Sequence, residues 1–118
     1  MLPLKRSLTN DDLNHVLRAF ERLRMLDREL PAQVVSTFLY IASHNPCHKQ
    51  AVEEDLVHTT ASASRNIDWL GLRSRYKKAG LGLVEKYRDP ENGRRFLCRL
   101  TPKGEALSRD IQGDLYGH

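Results

Sequence analysis

The chain has 118 residues, of which 40% are hydrophobic and 29% are charged, and its formal net charge is +4. This length fits one domain, and no apolar run approaches the roughly 20 residues that a membrane-spanning helix requires. The polar segment that follows Lys5 and Arg6 does not fit a secretory signal, and two cysteines, Cys47 and Cys98, are too few for a disulfide scaffold. We therefore predict a single domain over residues 1–118, in the cytoplasm and away from membranes, with both cysteines reduced.

Apolar residues at helical spacing predict three helices in the first half of the chain. In residues 9–28 they recur every three or four positions with charged residues between them, which is typical of an amphipathic helix. Pro31 suits the first turn of a second helix that is apolar nearly all round, and Asn45-Pro46 would end it. A third, short helix is predicted over residues 48–57.

A fourth helix is predicted after a polar break. It starts near Thr60, and Ala63, Ile67 and Leu70 form its apolar stripe. Gly71 leaves open whether this helix continues to residue 79 or bends, because an interior glycine costs about 1 kcal/mol relative to alanine.

The apolar pattern changes to that of strands after residue 82. Residues 83–88 and 94–100 flank Asn92-Gly93, a strong turn signal, so we predict that they pair as a hairpin. Thr101 as a cap and Pro102 in the first turn then open a last helix over residues 101–116. The predicted fold is mainly α with a small β-hairpin.

Basic residues are concentrated in the second half of the chain. Residues 60–100 contain ten lysines and arginines against four acidic residues, a net charge of +6, which leaves −2 for the remainder. A basic surface of this kind suits a polyanion, because each lysine or arginine beside a phosphate releases counterions. Double-stranded DNA is the predicted partner, and a merely solvated basic surface is the alternative.

The order of the elements is the plan of a winged helix-turn-helix, with about five helices and a wing. The helix-turn-helix would span about residues 48–79 and the wing about 82–100, with flanking helices over 9–28 and 101–116. A helix of this motif enters the major groove of DNA, where arginine can bond two acceptors on guanine and asparagine can pair with adenine.

Arg65 and Asn66 are therefore the predicted base-reading residues, although Arg65 could instead contact phosphate or pair with Asp68 on its own helix. Arg94 and Arg95, beside the turn of the hairpin, would reach a neighbouring minor groove. The full set of predicted DNA-binding residues is Thr60, Ser62, Ser64, Arg65, Asn66, Arg73, Lys77, Lys78, Arg94 and Arg95.

Three segments carry a family resemblance: Gly80-Leu81-Gly82-Leu83-Val84, Asp89-Pro90-Glu91-Asn92-Gly93-Arg94 and Leu100-Thr101-Pro102-Lys103-Gly104 are similar to the motifs "GLV", "DP-x-D-x-R" and "LT-x-x-G". With these motifs as its most specific part, the sequence from about Leu30 to Leu107 resembles the MarR family of bacterial transcriptional regulators. The resemblance implies a winged-helix homodimer that binds pseudo-palindromic operators, with Ser62 to Asn66 in the recognition helix and Arg94 as the wing arginine. Asn92 departs from the family's aspartate, residues 71–79 are an addition, and the long carboxy-terminal helical region is mostly absent.

Other functions have weaker support in the sequence. There is no Gly-rich phosphate loop, no Gly-x-Ser-x-Gly and no His-Glu-x-x-His, so we predict neither an enzyme nor a cofactor. Nothing indicates a small-molecule effector. Two alternatives remain open: nonspecific or replication-linked DNA binding, and a protein-interaction adaptor that would use Trp69 and Tyr76, although their spacing is more typical of core packing.

Metal binding and redox sensing have only single-residue hints. His44, Cys47, His48 and His58 are of types that bind zinc, but they lack the paired spacing of structural zinc sites, so no metal site is predicted. Cys47 as a redox sensor has only the neighbouring His48 in its favour.

Overall fold

The computed structural model describes residues 10–72 and 79–116, and this part of the chain contains five helices and three short strands. In chain order they are α1 (Asp11–Arg24), α2 (Ala32–Ser43), β1 (Cys47–His48), α3 (Lys49–Asp55), α4 (Thr60–Leu70), β2 (Val84–Arg88), β3 (Phe96–Leu100) and α5 (Pro102–Tyr116). None of the helices in these residues is both long and apolar enough to cross a membrane.

The first two helices begin where local chemistry predicts, but α1 ends at Arg24, four residues before its predicted end at residue 28. Asn10 caps α1 by accepting a hydrogen bond from the amide of Leu13, and the acidic side chains of Asp11 and Asp12 lie at the positive end of the helix dipole. Pro31 precedes α2 in an extended conformation, and α2 ends shortly before the cis peptide bond between Asn45 and Pro46. The predicted start of α1 at residue 9 lies outside the described residues.

Helix α2 lies at the centre of the core, as its apolar surface predicted. Val34, Phe38 and Ile41 are completely buried. They belong to one cluster with Ile67 and Leu70 of α4 and with buried residues of the sheet and α5. The second half of the chain is therefore anchored on α2.

The sheet has one strand more than predicted. The hairpin β2–β3 forms as expected, with Val84 opposite Leu100 and Arg88 opposite Phe96. In addition β1 pairs antiparallel with β3, giving the order β1-β3-β2, so the predicted helix over 48–57 is shortened to α3. A strand of two residues is too short to produce the alternation by which strands are recognised in a sequence.

Helix α4 ends at Leu70, which settles whether it continues through Gly71. The chain returns along the end of α4, where Leu81 and Leu83 donate backbone hydrogen bonds to Trp69 and Leu70. Gly80 lies so close to Gly71 that a Cβ atom at Gly80 would be 2.1 Å from the Gly71 carbonyl oxygen. Residues 73–78 lie outside the described part of the chain.

Candidate nucleic-acid interface

Helix α4 starts with a capped amino terminus and exposes one polar face. Thr59 accepts a hydrogen bond from the amide of Ser62 at 3.0 Å, which satisfies one of the free donors of the first turn. The predicted stripe of Ala63, Ile67 and Leu70 is buried, so the opposite face, which carries Arg65, is directed towards solvent.

Arg65 is exposed and its charge is available. Its Nη2 atom donates to Oγ of Ser62 at 3.1 Å. In the described residues Arg65 forms no ion pair with Asp68, whose carboxylate oxygen lies 4.0 Å from Nζ of Lys86. Within residues 10–72 and 79–116, the Arg65 guanidinium has no acidic partner.

Asn66 does not lie where its predicted role requires. Its side chain is only 8% exposed and directs Nδ2 towards Oε1 of Gln33 on α2, at 3.5 Å. A side chain held between two helices cannot reach a base edge, so the prediction that Asn66 reads bases is wrong. The spacing of Ala63, Asn66, Ile67 and Leu70 is that of a buried helix face, and this signal was present in the sequence.

The turn between β2 and β3 presents two arginines. Asn92 accepts a hydrogen bond from the backbone amide of Arg94, and Asp89 and Arg95 close the turn through their backbones. Arg88 supports the turn by donating to the Gly93 carbonyl at 2.6 Å. The side chains of Arg94 and Arg95 are exposed and have no ion-pair partner in the described residues.

Other basic side chains of the hairpin are engaged within the sheet. Arg99 pairs with Glu85 at 3.1 Å and stacks on the ring of Tyr87, and Lys86 lies over Phe96. The hydrogen bond with Glu85 raises the pKa of Arg99 above its ordinary value. These residues contribute charge, but their side chains brace the hairpin.

An open cleft of about 350 Å³ joins α4 to the hairpin turn. Its lining includes Thr60 at the start of α4 together with Arg94 and Arg95. The start of α3 completes the cleft with Lys49, whose Nζ lies 3.4 Å from an oxygen of Glu53. The tertiary structure thus brings together predicted residues that are 34 positions apart along the chain.

The cleft also contains residues that sequence reasoning missed. His48, Lys49 and Gln50 line it, but they precede the basic region and lie next to an acidic segment, so charge counting gave no signal for them. Nδ1 of His48 is 4.0 Å from a carboxylate oxygen of Asp89 in the hairpin turn. In the described part of the chain, no three His, Cys, Asp or Glu side chains come together in a group that would hold a metal ion.

Solved structures with the same arrangement identify the fold. The complex of Staphylococcus aureus MepR with DNA superposes with a TM-score of 0.69 at 18% identity, covering 89% of this chain and 80% of that one. A mutant of Escherichia coli MarR superposes with a TM-score of 0.61 at 22% identity, covering 100% of this chain and 79% of that one. The Streptomyces coelicolor transcriptional regulator PcaV, in complex with its natural ligand, superposes with a TM-score of 0.57 at 21% identity, covering 86% of this chain and 70% of that one. The fold is a winged helix-turn-helix.

The winged helix-turn-helix is supported by structural likeness alone. Neither a protein-family model nor a curated protein sequence significantly matches the chain. The chain spans between 65% and 80% of the length of the similar structures. Helices α3 and α4 form the helix-turn-helix, and the β2–β3 hairpin is the wing, so the predicted fold class is confirmed.

The remaining predicted residues divide into two groups. Ser62 and Ser64 are half-buried on α4, whereas Arg73, Lys77 and Lys78 lie outside the described residues. Trp69 donates from Nε1 to Asp27 at 3.0 Å and packs against the core, which agrees with the core role favoured for it.

Proposed function

We propose that this protein is a sequence-specific, double-stranded DNA-binding transcriptional regulator that represses by occupying a promoter as a homodimer. The observation that carries the proposal is the cleft where the start of α4 meets Arg94 and Arg95 of the wing. The likeness to MepR, solved as a complex with DNA, supports it. Residues 1–118 are proposed to act as one winged-helix unit without enzymatic activity.

The exposed face of α4 is suited to the major groove. Arg65 is held by Ser62 on that face and is free of acidic partners among the described residues, so its guanidinium is available for two acceptors on a guanine. Arg94 and Arg95 extend from the wing at the other side of the cleft, where a narrow minor groove attracts guanidinium groups. Lys77 and Lys78 are proposed to add phosphate contacts that do not depend on sequence.

The homodimer is supported by the apolar surface of α1. Only Ala19 and Leu23 of this helix are buried, whereas Leu13 is 66% exposed and Leu17 is 54% exposed. Phe20 is also exposed on α1, and Leu115 is exposed on α5, which packs against α1. Apolar surface of this extent is typical of a protein interface, and we propose that a second copy of the chain covers it.

Selection of bound sites from a random DNA pool, at a stated salt concentration, tests the proposal directly. We expect an inverted repeat with half-sites about 10 base pairs apart, because operator symmetry follows protein symmetry. Binding should weaken steeply with salt as counterions are released. Equal affinity for every duplex would instead support an architectural DNA-binding protein, and no DNA binding at all would support an adaptor.

Substitutions on α4, in the wing and at Lys78 separate base reading from backbone binding. Arg65→Ala should cost about 1–3 kcal/mol on the selected site and leave binding to random DNA unchanged. Arg94→Ala and Lys78→Ala should weaken all sequences alike and reduce the salt slope by about 1 each. Arg109→Ala is the matched control, since this exposed arginine lies on α5 and does not line the cleft.

The dimer is tested by placing a charge on the apolar surface of α1. Val16→Glu should convert a species of twice the monomer mass into the monomer in sedimentation equilibrium, and operator affinity should fall with it. Ser36→Glu, at an exposed position of α2, is the control and should remain dimeric. A wild-type protein that sediments as a monomer at operator-binding concentrations would refute the dimer.

A further inference from the structure

The two cysteines occupy directly opposite positions in the sheet. Cys47 of β1 is paired with Cys98 of β3 in an antiparallel register, and both thiols are free. Side chains of directly opposed residues lie on the same face of a sheet, and here that face is the core, where both cysteines are buried. The two residues are 51 positions apart along the chain, and the pairing of β1 with β3 brings them together.

This register meets the Cα-distance requirement of a disulfide. Directly opposed residues in antiparallel strands have Cα atoms about 4.5 or 5.5 Å apart, depending on the hydrogen-bonding position. Disulfides are found at Cα separations of about 4.4–6.8 Å. The Cα separation that this register sets is therefore within the range in which a disulfide can form.

The environment of the thiols indicates a slow reaction. Burial raises the pKa of Cys98 to about 12 and also raises the pKa of Cys47 above its ordinary value, so both groups are protonated in the closed sheet. Access requires β1 to separate from β3. Because β1 is an edge strand of two residues, its separation breaks few hydrogen bonds, and local opening of such segments is common.

We propose that Cys47 and Cys98 are a reversible dithiol that closes to an intrachain disulfide when low-molecular-weight disulfides accumulate. The Cys47 thiolate attacks one sulfur of the small disulfide RSSR, which forms a mixed disulfide and releases RS⁻. Cys98 then loses its proton, and its thiolate attacks the Cys47 sulfur and releases a second RS⁻. The protein loses two electrons and two protons, and RSSR is reduced to two RSH.

The bond would constrain the DNA-binding half of the molecule. Strand β1 leads directly into α3, and β3 is the central strand that carries the wing. The closed loop from residue 47 to residue 98 contains both helices of the helix-turn-helix and the first strand of the wing. Oxidation should therefore stabilise this half against unfolding, because a cross-link over a long loop restricts the unfolded chain.

Incubation of the folded, reduced protein with oxidised glutathione tests the proposal. We expect free thiols to fall from two per chain to none, the mass to fall by about 2 Da through loss of two hydrogens, and the Tm to rise. Peptide mapping should find Cys47 joined to Cys98 in a product that remains one chain on a non-reducing gel. Dithiothreitol should restore both thiols and the original Tm.

Two variants separate the proposed order of events from nonspecific oxidation. Cys98→Ser should stop at a stable mixed disulfide between Cys47 and glutathione. Cys47→Ser should react far more slowly, since Cys98 is completely buried. A folded protein that keeps both thiols while its urea-unfolded form is oxidised would overturn the proposal, as would disulfides only between chains or a lower Tm after oxidation.

Discussion

Gly104 offers a sharp test of how the wing is held against α5. It is the third residue of that helix, and a Cβ atom there would lie 2.0 Å from the backbone oxygen of Leu83. Thr101 makes the same junction by donating its amide to Leu83 at 3.0 Å and its hydroxyl to Gly82 at 2.6 Å. Gly104→Ala should therefore destabilise the protein although alanine is the better helix former.

The magnitude follows from three contributions. Real Cβ atoms essentially never approach another heavy atom within 3.0 Å, so α5 and the segment before the wing must separate by about 1 Å, a shift of the kind that costs about 1–3 kcal/mol in a packed site. Weakening the two hydrogen bonds of Thr101 costs about 1 kcal/mol each. The helix propensity of alanine returns about 1 kcal/mol. The net loss is about 3 kcal/mol, or about 12 °C in Tm for a chain of this size.

Thermal unfolding followed by far-ultraviolet circular dichroism measures the effect, with urea unfolding as a second route to the free energy. Gly93→Ala is the control, because a Cβ atom there meets nothing within 4 Å, and its stability should stay within about 0.5 kcal/mol of wild type. A Gly104→Ala protein as stable as wild type would show that helix propensity decides at this position and that the close approach to Leu83 imposes no constraint.

Three further predictions concern two side-chain hydrogen bonds and one residue with a positive φ. The hydrogen bond from Arg22 holds the pKa of Asp114 below its ordinary value, so Asp114→Asn should lower the Tm at neutral pH, and the difference from wild type should vanish as the pH falls through the lowered pKa. Tyr40 donates to Asp55 at 2.6 Å, which raises the pKa of Tyr40 to about 12; in Asp55→Asn, NMR titration of this ring should give a pKa closer to the ordinary 10.0. Val57 has a φ of 55° and is 87% exposed between α3 and α4, so Val57→Asn should raise the stability in urea by about 1 kcal/mol. Val57→Thr, which keeps the branched side chain, should show no gain.

Helix and turn signals were sufficient for most of the fold because they act locally. The cap at Asn10, the stripe of α4 and the Asn92-Gly93 turn each involve residues within a few positions of one another. Their spacing along the chain therefore records the structure that they form. Asn66 was misassigned for a different reason: its residue type suggested a base contact, whereas its spacing placed it on the buried face.

The exposed surface of α1 shows what helical periodicity cannot distinguish. Leu13, Val16, Leu17 and Phe20 repeat at the spacing of a core-facing stripe, yet all four are exposed in the monomer. An amphipathic pattern indicates that a face is apolar, but it does not indicate whether that face is covered by the same chain or by another. The contact of α1 with α5 through Arg22 and Asp114 determines which part of the stripe is left open.

The local sequence determined the helix-turn-helix order, the hairpin and the excess of positive charge, since propensity, capping and charge are properties of single residues and their neighbours along the chain. Tertiary structure alone decided that Thr60 shares a cleft with Arg94, that Lys49 belongs to it, and that Cys47 faces Cys98. These contacts join positions 34 to 51 residues apart, and they depend on how α2 anchors the sheet and α4. No local pattern records a distance of that kind, because it is set by the packing of the whole core.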